Sequence, residues 1–130
     1  MEKLEPQCVV FVVDDDEFLL KCLVRQVQRR GEVVGGFTSG VEMLPRLSES
    51  PALVVSDYHL PGMDGLDIAR AVRAASPSTR ILLLTGTIET EPLAVALQEG
   101  LIDRFLWKPW NMATLAAAMD ELLVDWRLRR

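Results

Sequence analysis

Four short polar segments stand directly after apolar runs, and each carries a side chain able to take part in metal or phosphate chemistry. Asp14-Asp15-Asp16-Glu17 follows the run 9–13, and Asp57 follows Ser56 at the end of the run 53–56. Thr85-Gly86-Thr87 follows 81–84, and Lys108-Pro109 follows 104–107. If these runs are strands of one open α/β sheet, the segments meet at its carboxyl edge, where such sheets hold their ligands. Carboxylates gathered there repel one another and rise in pKa unless a cation neutralises them. An oxygen-only donor set favours Mg2+, which keeps waters and bridges carboxylates to phosphate. Asp57 can then serve as a carboxylate nucleophile, while the Thr85 hydroxyl and the Lys108 ammonium can bind a phosphoryl oxygen.

The elements that must position these residues are legible in the pattern. Short apolar runs at 9–13, 33–37, 53–56, 81–84 and 104–107 alternate with helical spacing at 17–30, 40–47, 66–75, 92–98 and 112–126, which predicts a parallel sheet with crossover helices. The runs are continuous rather than alternating, as strands covered on both faces require. Ser39 and Asn111 are suited to N-caps and Pro92 to a first helical turn. Gly31 and Gly100 stand where a helix would end in a left-handed residue, and Ser76-Pro77 stops the third helix. Pro45 should kink or shorten the second helix. On the fifth helix Leu115, Met119, Leu122, Leu123 and Trp126 should pack on the sheet, leaving Ala116, Ala117, Asp120 and Val124 outside.

A chain of 130 residues, 49% hydrophobic and 25% charged, fits one soluble domain over residues 1–130. The net charge of −5 argues against direct nucleic-acid binding. Apolar stretches such as 8–13 and 81–84 fall far short of the ~20 residues of a membrane span. Residues 1–7 carry Glu2, Lys3 and Glu5 and do not form a secretory signal, so a cytoplasmic location is expected. Cys8 and Cys22 lack a metal-site spacing and are expected to be buried thiols. Trp107, Trp110 and Trp126 are read as packing residues, and the side chain of His59 is expected to face solvent beside the acidic segments.

The segments FVVDDDE, LVVSDYHLPGMDG, ILLLTGT and FLWKPW resemble the four signature segments of response-regulator receiver domains, and the resemblance spans essentially the whole chain. It implies a flavodoxin-like doubly wound α/β fold with five parallel strands in order 2-1-3-4-5 and five helices. It further implies a two-component switch that accepts a phosphoryl group from a sensor histidine kinase on Asp57, with Mg2+ as cofactor. By the matching motifs Asp15 is a direct Mg2+ ligand, Asp14 acts largely through bound water, and His59 contributes its backbone carbonyl. Thr85 takes the place of the switch hydroxyl, Lys108 of the phosphoryl-binding lysine and Phe105 of the switch aromatic. Lys108-Pro109 matches the family's cis peptide. His59 and Thr87, two residues beyond Asp57 and Thr85, should flank the path of attacking water.

Phe105 replaces the frequent Tyr and cannot donate a phenolic hydrogen bond. Gly86 replaces a common Ala and should loosen the loop after Thr85. Rival readings fare worse. An aspartate-nucleophile phosphatase resembles Asp-x-Asp-x-Thr at its nucleophile, whereas Asp57-Tyr58-His59 lacks the second Asp. A flavin-binding module needs a phosphate loop after its first strand, where Asp14 to Glu17 would repel the phosphate. A pseudo-receiver is opposed by the complete set of acidic and phosphate-binding residues. The partners expected are a kinase and a downstream effector protein or effector domain outside this sequence, with a phosphorylation-dependent dimer among the outcomes. A stand-alone regulator and a receiver of a larger protein, such as a cyclic-dinucleotide phosphodiesterase, both remain open. Output is expected through the fourth helix, fifth strand and fifth helix.

Overall fold

A computed structural model describes residues 8–87 and 90–129. Residues 1–7, the segment read above for a secretory signal, lie outside the described residues, as does Arg130. In chain order the elements are β1 (Val9–Val13), α1 (Glu17–Arg29), β2 (Val33–Phe37), α2 (Gly40–Met43), a 3-10 turn (Leu44–Glu49), β3 (Leu53–Asp57), α3 (Gly65–Ala75), β4 (Arg80–Thr85), α4 (Glu91–Gln98), β5 (Arg104–Trp107) and α5 (Met112–Leu128). All strand pairs are parallel and the order is β2-β1-β3-β4-β5, the doubly wound fold that the resemblance implies.

The three central strands are buried almost end to end, and the two-residue period of a strand divides their side chains between two cores. Val10, Val12, Val55, Leu82 and Leu84 face α1 and α5, where they meet Leu20, Leu23, Leu115 and Met119. Phe11, Val13, Val54, Ile81 and Leu83 face the other way and meet Met43, Ile68, Val72 and Leu93. On α5, Leu122, Leu123 and Trp126 are buried as expected, while Ala117, Asp120 and Val124 are exposed and Ala116 is half-buried.

Local signals are honoured. Ser39 Oγ accepts from the Glu42 N–H and Asn111 Oδ1 from the Thr114 N–H. Gly31 and Gly100 have φ of 94° and 79°, the left-handed turn that ends α1 and α4. Pro45, which has no N–H to donate to the preceding turn, reduces α2 to four residues followed by the 3-10 turn. At the amino edge of the sheet, Asp103 meets Arg73 at 2.6 Å and Arg80 at 3.1 Å and accepts the Ile81 N–H at 2.7 Å, tying the start of β4 to the turn before β5.

Two expectations are corrected. Cys8 is buried but Cys22 is only half-buried, because it lies on the flank of α1 beside the face formed by Leu20, Leu23 and Val27. Trp110 packs on the core and Trp126 is buried, whereas Trp107 is 55% exposed. It ends an edge strand and projects beyond the packed part of Phe105, whose ring it meets edge-on at 5.3 Å.

Candidate functional site at the carboxyl edge

Asp14 is placed by the last rung of the β1–β2 ladder, where its N–H donates to Phe37 O at 3.1 Å. Its Oδ1 accepts the Asp16 N–H at 2.9 Å, whereas its buried Oδ2 has no hydrogen-bond partner among the described residues. Burial pushes the Asp14 carboxyl above its ordinary pKa, and the charges of Asp57 and Asp15 push the same way. The Asp16 N–H bond and the Lys108 ammonium oppose them. Asp16 itself is turned away: it caps α1 by accepting from the Phe18 and Leu19 N–H groups at 3.0 and 3.2 Å. The chain thereby presents Asp15, exposed, and Asp14, buried, to the same point.

Asp57 is the last residue of β3 and is 7% exposed. The next residue keeps the strand in register, the Tyr58 N–H donating to Leu84 O at 2.8 Å. Carboxylate oxygens of Asp14, Asp15 and Asp57 lie within 4.8 Å of one another. Three hard oxygen donors, one of them buried and unpartnered, fit a small divalent cation and fit poorly with any metal that prefers nitrogen or sulfur. Lys108 Nζ stands 2.9 Å from Asp57 Oδ2. The Lys108 N–H donates to Thr85 O at 2.7 Å, and the Lys108-Pro109 peptide is cis. Thr85 is fully buried, and its Oγ1 accepts the Thr87 N–H at 3.2 Å.

The remaining expected residues surround this group. His59 lies in the loop after Asp57 with its side chain exposed, its ring 4.7 Å from that of Tyr58. Thr87 is half-buried beyond Thr85, and Phe105 is half-buried against the α3–α4 core. Two contributors escaped sequence reasoning. Ser56 is fully buried and its hydroxyl donates to Asp57 O at 2.9 Å. Gly65 lets α3 begin against the loop: a Cβ there would stand 2.9 Å from Tyr58 Cα and 3.1 Å from Asp57 O. The signal available was Gly65 following Asp64, which caps α3 in a reciprocal box with Asp67.

Residues 10–120 match the family model of the response regulator receiver domain. Over 102 residues the chain is 37% identical to the C4-dicarboxylate transport transcriptional regulatory protein DctD of Rhizobium meliloti (strain 1021), covering 78% of this chain and 22% of that protein. The chain thus spans less than a quarter of that relative. The signal receiver domain of an HD domain-containing protein from Pseudomonas fluorescens Pf-5 has a TM-score of 0.89 at 28% identity, covering 100% of this chain and 96% of that one. The response regulator protein TrrA from Thermotoga maritima, solved in complex with Mg(2+)-BeF, has a TM-score of 0.77 at 26% identity, covering 89% of this chain and 99% of that one.

Proposed function

The chain belongs to the response regulator receiver domain family, and from that premise we propose that Asp57 is its phosphoacceptor and that Thr85 and Lys108 bind the phosphoryl group. The observation that carries the reading is the Lys108–Asp57 ion pair of 2.9 Å beside a cluster of three carboxylates. Asp14, Asp15, Asp57 and the His59 backbone carbonyl would hold Mg2+. Bound there, the ion neutralises the carboxylates and charge developing on the phosphoryl oxygens.

One Asp57 Oδ attacks phosphorus as the phosphorus–nitrogen bond of a phosphohistidine breaks, and the imidazole leaves with the electron pair and takes up a proton. Lys108 exchanges a carboxylate oxygen for a phosphoryl oxygen. The Thr85 hydroxyl, which now accepts from Thr87, keeps its own proton to donate to the same group. Phosphorylation adds a charge of about −1.5 to −2, enough to draw Thr85 inward and let Phe105 follow. The reading is a switch rather than a turnover enzyme: the exposed His59, its ring tilted at 45° to that of Tyr58, stands where a phosphatase would place its second Asp.

The donor in this reading is a sensor histidine kinase, and the phosphoryl state is read by an effector on another chain or a further domain, with or without dimerisation. The likeness to a receiver of an HD domain-containing protein supports an attached output domain. No helix among the described residues is long and apolar enough to cross a membrane, in keeping with action in the cytoplasm. Intact-mass analysis after incubation with phosphoramidate tests the assignment. We expect one phosphoryl adduct in the presence of Mg2+, none with EDTA, and none in Asp57→Asn. A hydroxylamine-labile adduct on the Asn variant would refute it.

A further inference from the structure

β3 runs Leu53-Val54-Val55-Ser56-Asp57, buried throughout, and Ser56 is the only polar side chain in it before Asp57. Ser56 pairs in register with Val13 of β1 and Leu83 of β4 and is fully buried, where an aliphatic side chain would carry no polar cost. A hydroxyl enclosed by aliphatic neighbours destabilises a fold unless it is hydrogen-bonded. Its partner is the carbonyl oxygen of Asp57, 2.9 Å away.

That carbonyl needs a donor because the ladder stops beside it. The Tyr58 N–H donates to Leu84 O, so the bonds toward β4 pass Asp57 O by, and this oxygen faces the β1 side. There β1 has already left: its pairing with β3 ends at Val13 and Ser56, and the Asp14 N–H donates to Phe37 O of β2. Among the described residues no turn or loop N–H donates to Asp57 O. A buried backbone carbonyl must then be satisfied by a side chain or by water, and the Ser56 hydroxyl takes the place of the missing rung.

We infer that Ser56 is a positioning residue for Asp57, holding the Asp57–Tyr58 peptide in the plane that aims the carboxylate at the incoming phosphoryl group. The inference rests on the reading of Asp57 as phosphoacceptor given above. The peptide is held at both ends, its oxygen by Ser56 and its N–H by Leu84 O, and the following carbonyl, Tyr58 O, accepts the Gly65 N–H at 2.8 Å. Of these three bonds only that of Ser56 is made by a side chain. Gly65 closes over the same oxygen, since a Cβ there would stand 3.1 Å from Asp57 O. Without the hydroxyl the peptide can tilt, and rotation at Asp57 displaces both its carboxylate and the loop that carries His59. A misplacement of about 1 Å at a reacting atom can slow a reaction by about 10²-fold. Ser56 acts through the backbone and donates its proton to it, so no contact with the phosphoryl group is required.

Four chains separate the hydroxyl from its volume: wild type, Ser56→Ala, Ser56→Thr and Ser56→Val. Thr and Val share a shape and differ in the hydroxyl, so any overpacking is common to both. Phosphorylation by phosphoramidate is timed by intact mass, with Mg2+ saturating and the temperature well below each Tm. Wild type should be modified at least about fivefold faster than Ser56→Ala, and Ser56→Thr at least about fivefold faster than Ser56→Val. The Asp57 carbonyl carbon and Tyr58 amide nitrogen resonances should move in Ser56→Ala. A merely structural hydroxyl would change Tm and leave the rate of the folded chain as it was. A smaller rate difference in either pair, or unmoved resonances in Ser56→Ala, would overturn the inference. Failure of phosphoramidate to modify the wild-type chain would instead strike the reading of Asp57, and the inference with it.

Discussion

Lys108 Nζ lies 2.9 Å from Asp57 Oδ2, so the group proposed to grip the incoming phosphoryl already neutralises the acceptor. The ammonium and a bound cation then compete for the same carboxylate. Lys108→Ala should bind Mg2+ more tightly than wild type by calorimetry, because a positive charge leaves the site. The same variant should be phosphorylated on the order of 10²-fold more slowly, having lost a preorganised contact to the transferring group. Weaker Mg2+ binding in the variant would contradict the competition.

Asp14 supplies a pH prediction. Its folded-state pKa is raised chiefly by burial, so folding favours the protonated form. The associated stability is full below the ordinary carboxylate range and is lost as pH rises through the raised value. At neutral pH and in EDTA the buried charge therefore destabilises the fold. Asp14→Asn should raise Tm by about 3–5 °C, the effect of about 1 kcal/mol in a chain of this length. It should also flatten the acid side of the stability profile and shrink the Tm gain produced by Mg2+. A lower Tm in EDTA would count against this account.

Gly65 is a steric requirement. An added methyl would meet Tyr58 Cα at 2.9 Å and Asp57 O at 3.1 Å, both of them backbone atoms that cannot rotate aside. Gly65→Ala should cost about 1–3 kcal/mol in urea denaturation. It should also slow phosphorylation by phosphoramidate, because the Asp57–His59 loop must move. Gly86→Ala, where a Cβ meets nothing within 4 Å, serves as the control and should leave stability within about 0.5 kcal/mol.

The output face is tested by amide exchange with and without beryllofluoride. Thr85 and Lys108 terminate or follow β4 and β5, and Phe105 and Trp107 share a ring contact. Changes should concentrate on α4, β5 and α5, with Trp107 fluorescence shifting as its partner ring moves. Protection changes confined to α1 and α2 would place the output elsewhere.

Much of this architecture was legible in the sequence because the apolar runs, the caps at Ser39 and Asn111 and the glycines at 31 and 100 are local signals that tertiary contacts reinforced. Asp14, Asp15 and Asp57 could be grouped because an open α/β sheet brings the residues after its strands to one edge. What was not legible depended on three-dimensional proximity. Nothing local distinguishes the carboxylate that caps α1, Asp16, from those beside it that face Asp57. The need for glycine at position 65 arises from the backbone of residues 57 and 58.

The two cores share only the backbone of the sheet between them. Side chains behind α1 pack with one set of alternate strand residues, and those behind α3 and α4 with the other. Substitutions in opposite layers touch different neighbours, and where they are not adjacent in the chain their effects on stability should add. Inheritance can exploit that separation. A descendant of this chain can repack the layer beneath α1 and α5 while the layer beneath α3 and α4 is passed on unaltered.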